Sequence, residues 1–250
     1  MNAAHYEYVR RLGDNALVLG QRLSEWCGHS PFLEEDIAMA NTALDLIGRA
    51  RMLYSHAAEL EGRGRDEDAL AYGRDEREFG NFLMCELPKG DYAFTLVRQY
   101  LLDVYHHRLF TALTTSSDET LAAIAAKAVK EAAYHLRRSG DWVVRLGDGT
   151  DESRNRCQAA LDELWGYTEE LFAGDAVDAA VAEAGIGVAP ASLAEGWRAE
   201  VEALFARAGL SVPRDDWQAS GGRAGLHTEH MGRLLAELQF VQRAYPGARW

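Results

Sequence analysis

Proline, isoleucine and cysteine are scarce in this 250-residue chain, and each shortage excludes a class of structure. The five prolines (Pro31, Pro88, Pro190, Pro213 and Pro246) all fall where the apolar pattern breaks, so the spans between them are free to be continuous helix. Four isoleucines stand beside 40 alanines and 30 leucines, which favours helix formers over the stiff β-branched residues of sheets. Cys27, Cys85 and Cys157 are odd in number, far apart and lack a Cys-x-x-Cys, which argues against a disulfide framework or a zinc ribbon. They are expected as reduced, mostly buried thiols. No apolar run approaches the roughly 18 residues of a membrane span. Residues 1–11 carry neither the basic nor the apolar segment of a secretory signal. A cytoplasmic location is therefore expected. Positive charge is short as well: 26 basic against 39 acidic residues leave −13, which disfavours nucleic acid and anionic membranes as partners.

What is present reads as an all-α chain, and 250 residues at 48% apolar suffice for one large core without demanding two domains. A first helix is expected from about Asp14, as N-cap, to Gly28, with Leu12, Ala16, Leu19, Leu23 and Trp26 at helical spacing. Ser30-Pro31 then opens a second helix in cap-then-proline order, lasting to about Leu60, with Ala38, Asn41, Asp45, Gly48 and Met52 on one face. Residues 61–78, charged and glycine-bearing, read as a long solvated crossover containing a short helix. After Pro88-Lys89-Gly90-Asp91 a third helix carries Leu96, Tyr100, Asp103, His107 and Phe110 on one stripe. A fourth follows Ser116-Ser117-Asp118 with the strict seam Leu121, Ala125, Ala128, Ala132, His135, Ser139 and Trp142. The turn at 146–150 separates it from a fifth helix over about 151–172, and shorter helices follow around Trp197-Val201-Leu204 and Met231-Leu235-Leu238. The expected fold is a ferritin-like four-helix bundle with a long crossover, core about 12–172 and a C-terminal helical extension about 173–250, forming a single domain over 1–250.

Bundles of that kind build a di-iron centre from one carboxylate on each of two helices and a Glu-x-x-His pair on each of the other two. Here Glu25, Asp45, Asp103 and His135 each lie on a separate expected helix, but the second helix reads Asp45-x-x-Gly48 and the fourth Ala132-x-x-His135. One pair lacks its imidazole and the other its carboxylate. Loss of a single outer hydrogen bond costs roughly 10 to 100-fold in metal affinity, and loss of direct ligands costs more. No metal or other cofactor is therefore expected in this chain. In its place the sequence suggests a metal-free network in which protonated His135 and nearby Arg or Tyr groups balance Asp103 and Glu25. The ordinary alternatives stay open at each position. Asp103 could pair with an Arg or Tyr, His135 could be a satisfied core histidine, Glu25 an exposed acid at a helix end, and Asp45 a partner of Arg49. The competing reading is an iron-dependent oxygenase with an unusual four-ligand set.

Other candidates are weaker. His227-Thr228-Glu229-His230 lacks the i, i+4 histidines of a helical zinc site, and Thr228 as an N-cap with Glu229 in the first turn explains it more simply. His106 and His107 are adjacent, so at most one faces inward. The glycines at 221 and 222 carry no phosphate-binding pattern.

Several longer words carry a resemblance: Arg11-Leu12-Gly13-Asp14-Asn15, Ser24-Glu25-Trp26-Cys27-Gly28-His29, Lys130 to Arg137, Leu146 to Asp151, and Gly225-Leu226-His227-Thr228-Glu229-His230. Over nearly its whole length the chain resembles the C subunits of bacterial phenylacetyl-CoA epoxidases, the multicomponent ring-activating oxygenases of aerobic phenylacetate breakdown. The resemblance implies a ferritin-like paralogue that has lost its metal and supports a related catalytic A subunit. In that scheme the A subunit holds the di-iron centre and forms the ring epoxide with O2, using electrons that a reductase component draws from NADPH. The A subunit's ligand positions carry over to Glu25, Asp45, Gly48, Asp103, Ala132 and His135, and the departures at Gly48 and Ala132 set this chain apart from a catalyst.

Overall fold

A computed structural model of the chain describes residues 3–214 and 217–248. Regular structure among these is helical throughout, in the order α1 (Ala3–Ser24), α2 (Leu33–Glu61), α3 (Glu67–Tyr72), α4 (Leu83–Glu86), α5 (Tyr92–Leu113), α6 (Glu119–Gly147), α7 (Asp151–Trp165), α8 (Ala176–Glu183), α9 (Ala191–Arg207), α10 (Glu229–Leu238) and α11 (Phe240–Ala244). The all-α reading holds. The chain folds into two compact units, one drawn from Met1–His29, Glu34–Pro88 and Ser220–Trp250, the other from Ser30–Leu33 and Lys89–Ala219. The stretch beyond residue 173 is thus divided between them.

In the first unit, α1 and α2 run antiparallel and touch through glycines. A Cβ at Gly13 would lie 2.6 Å from the Tyr54 ring, and one at Gly20 would lie 3.1 Å from Ile47. Residue number rises along α1 as it falls along α2, and Leu19, Leu23, Leu46 and Leu53 are fully buried. In the second unit α5 is the central helix. Its run from Ala93 to His106 is buried on every side, as expected of a helix enclosed by neighbours. α6 is amphipathic, and its seam of Leu121, Ala125, Ala128, Ala132, His135 and Ser139 is buried as the spacing predicts. Three alanines on that seam let helices approach closely. Trp142 departs from it: half-buried, it meets Phe32 and Tyr92 at ring distances of 5.8 and 5.7 Å, while Val143 takes the inward position.

Helix starts follow side-chain caps. The carboxylates of Asp91 and Asp118 and the hydroxyl of Thr150 accept backbone N–H groups of the first turns they precede. Thr228 caps α10 as the sequence suggests, its hydroxyl accepting the His230 N–H.

Four boundaries differ from the sequence reading. α1 begins at Ala3, so Asp14 is an interior residue of that helix and caps nothing. α1 ends at Ser24, and Glu25 and Trp26 lie in the following turn. α2 begins two residues after Pro31. The expected fifth helix stops at Trp165, where Gly166 closes it, and a separate 3-10 turn covers Glu169–Leu171. Three short helices, α4, α8 and α11, lie outside the sequence reading, because four, eight and five residues are too few to establish a period. Cys85 and Cys157 are buried thiols, whereas Cys27 is exposed.

Candidate functional site

The six candidate ligand positions divide between the two units, Glu25, Asp45 and Gly48 in the first and Asp103, Ala132 and His135 in the second. Asp103 is 1% exposed at the centre of α5. Its Oδ1 accepts the side-chain N–H of Gln99, one helical turn earlier, at 2.7 Å, and its Oδ2 accepts the Ser139 hydroxyl at 2.8 Å. Those donors explain why a polar residue interrupts the seam of α6 at position 139. His135 and Ala132 are buried on the same helix, and Ala132 offers a methyl group where the template needs a carboxylate.

Glu25 is exposed in the turn after α1 and accepts Arg22 Nη1 at 2.6 Å. Arg22 is buried and fixed by two carbonyls, donating from Nε to Glu86 at 2.9 Å and from Nη2 to His230 at 3.3 Å. This arginine on its own helix supplies a cation for Glu25, and the pair edges a cavity of about 600 Å³ that Leu234 and Leu238 of α10 also line. Asp45 and Gly48 are half-buried on α2, and a Cβ at Gly48 would meet nothing within 4 Å.

The densest polar chemistry of the first unit lies where the sequence suggested a helix cap. Asp14, fully buried, accepts the Tyr54 hydroxyl at 2.7 Å, Arg10 Nη1 at 3.1 Å, the Gly80 N–H at 2.8 Å and Arg74 through both its terminal nitrogens. Burial alone would push this carboxyl's pKa up, but Arg74 and Arg10 outweigh it and hold the group below the usual carboxylate value. Arg74 also donates to the carbonyls of Leu70 and Glu78 and stacks over Phe79 with 4.0 Å to the ring centroid. Next along α1, Asn15 Oδ1 accepts the Phe82 N–H at 2.7 Å. The word Arg11 to Asn15 thus fastens the segment after α3 onto α1. Its signal in the sequence was present, as an acid four residues after an arginine inside an apolar pattern, but the partners 40 and 60 residues away were not legible.

The word Gly225 to His230 does a second fastening. His227 has no side-chain exposure, and its Nδ1 stands 2.8 Å from Glu86 Oε2 while Nε2 stands 3.1 Å from the Phe79 carbonyl. Both ring nitrogens face oxygen acceptors, so the doubly protonated imidazolium satisfies the site and the neutral ring leaves one nitrogen opposed to a lone pair. Burial disfavours that charge, but hydrogen bonding and attraction to Glu86 outweigh it and the pKa of His227 is raised. Glu86 Oε1 in turn accepts the Thr228 N–H at 2.5 Å. Stabilisation by His227 is therefore complete below the unfolded value near 6.5 and is lost as pH rises through the higher folded value. Thermal melts from pH 6 to 9 should show native stability falling relative to His227→Gln, with the difference disappearing at the alkaline end.

With these words placed in the structure, the chain can be set beside known proteins. The family model described as phenylacetic acid catabolic protein matches residues 1–250. The chain belongs to that family. It is also 54% identical over 243 residues, 97% of this chain and 98% of the other, to the C subunit of the 1,2-phenylacetyl-CoA epoxidase of Escherichia coli strain K12. The resemblance read from the motif words is therefore correct for the family as a whole, and the all-α architecture agrees with it. No described helix is long and apolar enough to cross a membrane.

Proposed function

We propose that this chain is a non-catalytic subunit of a cytosolic multicomponent phenylacetyl-CoA epoxidase, bracing a catalytic A subunit that carries the di-iron centre and is served by a reductase drawing on NADPH. The observation that carries the reading is the depleted ligand set: Gly48 and Ala132 offer no donor, Glu25 is engaged by Arg22, and Asp103 is engaged by Gln99 and Ser139. Residues so arranged do not fit two ferrous ions, which need carboxylates and imidazoles free to bind them. The relative's designation as one subunit of an epoxidase supports membership of an assembly. So does the exposed apolar surface of Ile37 and Leu44, seven residues apart on α2, because such surface marks a place for a partner to cover. A ferritin-like four-helix bundle is part of this proposal, since paralogous bundles can pair face to face over on the order of 1,000 Å² or more.

The test is co-purification with the A subunit, followed by iron quantification on each separated chain and on the double variant Gly48→His with Ala132→Glu. Complex formation, an iron-poor native chain and iron uptake only after both substitutions are the expected results. About two irons per native chain would overturn the proposal in favour of an iron-dependent oxygenase with an unusual ligand set. So would failure to bind the A subunit or to change its solubility or turnover.

A further inference from the structure

In the second unit, residues of α6 and α9 together with Tyr100 of α5 line a groove of about 330 Å³, a size that suits a small molecule. Its base is apolar. Leu136, Leu204 and the Tyr100 ring form it, and Gly140 lets α6 come close to Leu204 and Tyr100, since a Cβ there would lie 2.9 Å from the first and 3.3 Å from the second. The Tyr100 hydroxyl is held protonated, chiefly by burial and then by the nearby Glu200 carboxylate. Its single O–H donates to the Glu200 carbonyl at 3.3 Å, so the hydroxyl is committed to α9 and the ring face is what it offers an occupant.

The edges are charged in a particular balance. Arg137 projects from α6 and Arg207 from the last turn of α9, both exposed; the Arg137 guanidinium lies over the Tyr134 ring, 5.7 Å to the centroid, and neither arginine forms an ion pair among the described residues. Two acids also border the groove. Glu200 is committed to Arg108 at 2.7 Å, which leaves Asp141 as the negative charge against two guanidiniums that have no carboxylate partner among the described residues. A net single positive charge over an apolar base selects a monoanion with an apolar body. A phosphate dianion would meet Asp141 without enough cation to offset it, and a neutral apolar molecule would leave both guanidiniums unused.

We propose that the groove between α6 and α9 binds a small monocarboxylate with an apolar body of about one ring or a short alkyl chain, the carboxylate held by Arg137 and Arg207 and the body resting on Leu136, Leu204 and Tyr100. Nothing in this site depends on the candidate ligand positions, so it stands or falls independently of the subunit role.

Binding of benzoate and hexanoate to the full-length chain, followed by ligand-observed NMR and calorimetry, tests it, with benzyl alcohol and inorganic phosphate as comparison probes. Saturable carboxylate binding is expected, weakened roughly tenfold or more by Arg137→Gln or Arg207→Gln and absent from the double variant, with little binding of the alcohol or phosphate. Both substitutions are at exposed positions and leave the packing intact, which circular dichroism and melting temperature will verify. Absence of carboxylate binding, preference for phosphate, equal binding of the alcohol, or binding undiminished in the double arginine variant would each overturn the proposal.

Discussion

Asp14→Ala is expected to destabilise the protein by about 3–5 kcal/mol, the range for removing one member of a buried charged network. The reason is what remains. Arg74, 2% exposed, stays buried with carbonyl acceptors and no counter-charge from Asp14, while Arg10, 8% exposed, is left with its ion pair to Glu7. The Tyr54 hydroxyl and the Gly80 N–H lose an acceptor in the same step. Asp14→Asn keeps the volume and one acceptor oxygen, so its deficit, measured in urea, isolates the charge from the shape. The acid limb supplies a second check. Because Arg74 and Arg10 hold the carboxyl below its unfolded value near 3.9, its stabilisation is complete above that value and is lost as pH falls through the folded one. The native advantage over Asp14→Asn should therefore shrink on acidification below about pH 4. A loss under about 1 kcal/mol for Asp14→Ala would show that Glu7, the backbone carbonyls and solvent, rather than the Asp14 carboxylate, satisfy the two arginines.

How much of this could be read from the sequence depends on the range of the interaction. The seam of α6 was legible because its period is local: Leu121 through Ser139 repeat at 4 and 3, and the structure buries all six positions named there. Trp142 continued the period but not the packing, because two aromatic neighbours hold it at the edge. The caps at Asp118, Thr150 and Thr228 were similarly legible or lay at expected breaks, each depending on three or four consecutive residues. Asp14 shows the limit of that logic. An acid ahead of an apolar run is a good cap when its partners are backbone N–H groups, and an interior residue when its partners are Arg74 and Tyr54, which no periodicity connects to it. His227 failed in the same way. Its four-residue word contains a cap, correctly read, and a histidine whose buried partner lies 141 residues earlier. At the candidate ligand positions the missing donors were plain from residue identity alone, whereas the attachment of Glu25 to Arg22 depended on where α1 ends.

Gly225→Ala is expected to cost about 2–5 kcal/mol, combining roughly 1–2 kcal/mol for an L-residue in the left-handed region with roughly 1–3 kcal/mol for overpacking. Gly225 has φ +75°, and a Cβ built there would lie 2.3 Å from the Arg77 carbonyl oxygen, a backbone atom that cannot swing aside as a flexible side chain would. Relief requires the chain around 225 to move away from residues 76–78. That movement pulls directly on His227, two residues on, and so on its contacts with Glu86 and Phe79. The substitution should therefore weaken the alkaline stability loss attributed to His227 as well as lower the melting temperature. Gly64→Ala is the matched control in the same unit. Its φ is +72° and a Cβ there meets nothing within 4 Å, so it bears the conformational cost without the clash. Equal destabilisation by the two substitutions, measured in urea at pH 7, would mean that the Gly225 turn yields freely and that its close approach to Arg77 contributes nothing to holding the His227 link. A larger loss at Gly225, accompanied by a flattened pH dependence, ties the backbone contact to the buried imidazolium and makes the turn the element that aims it.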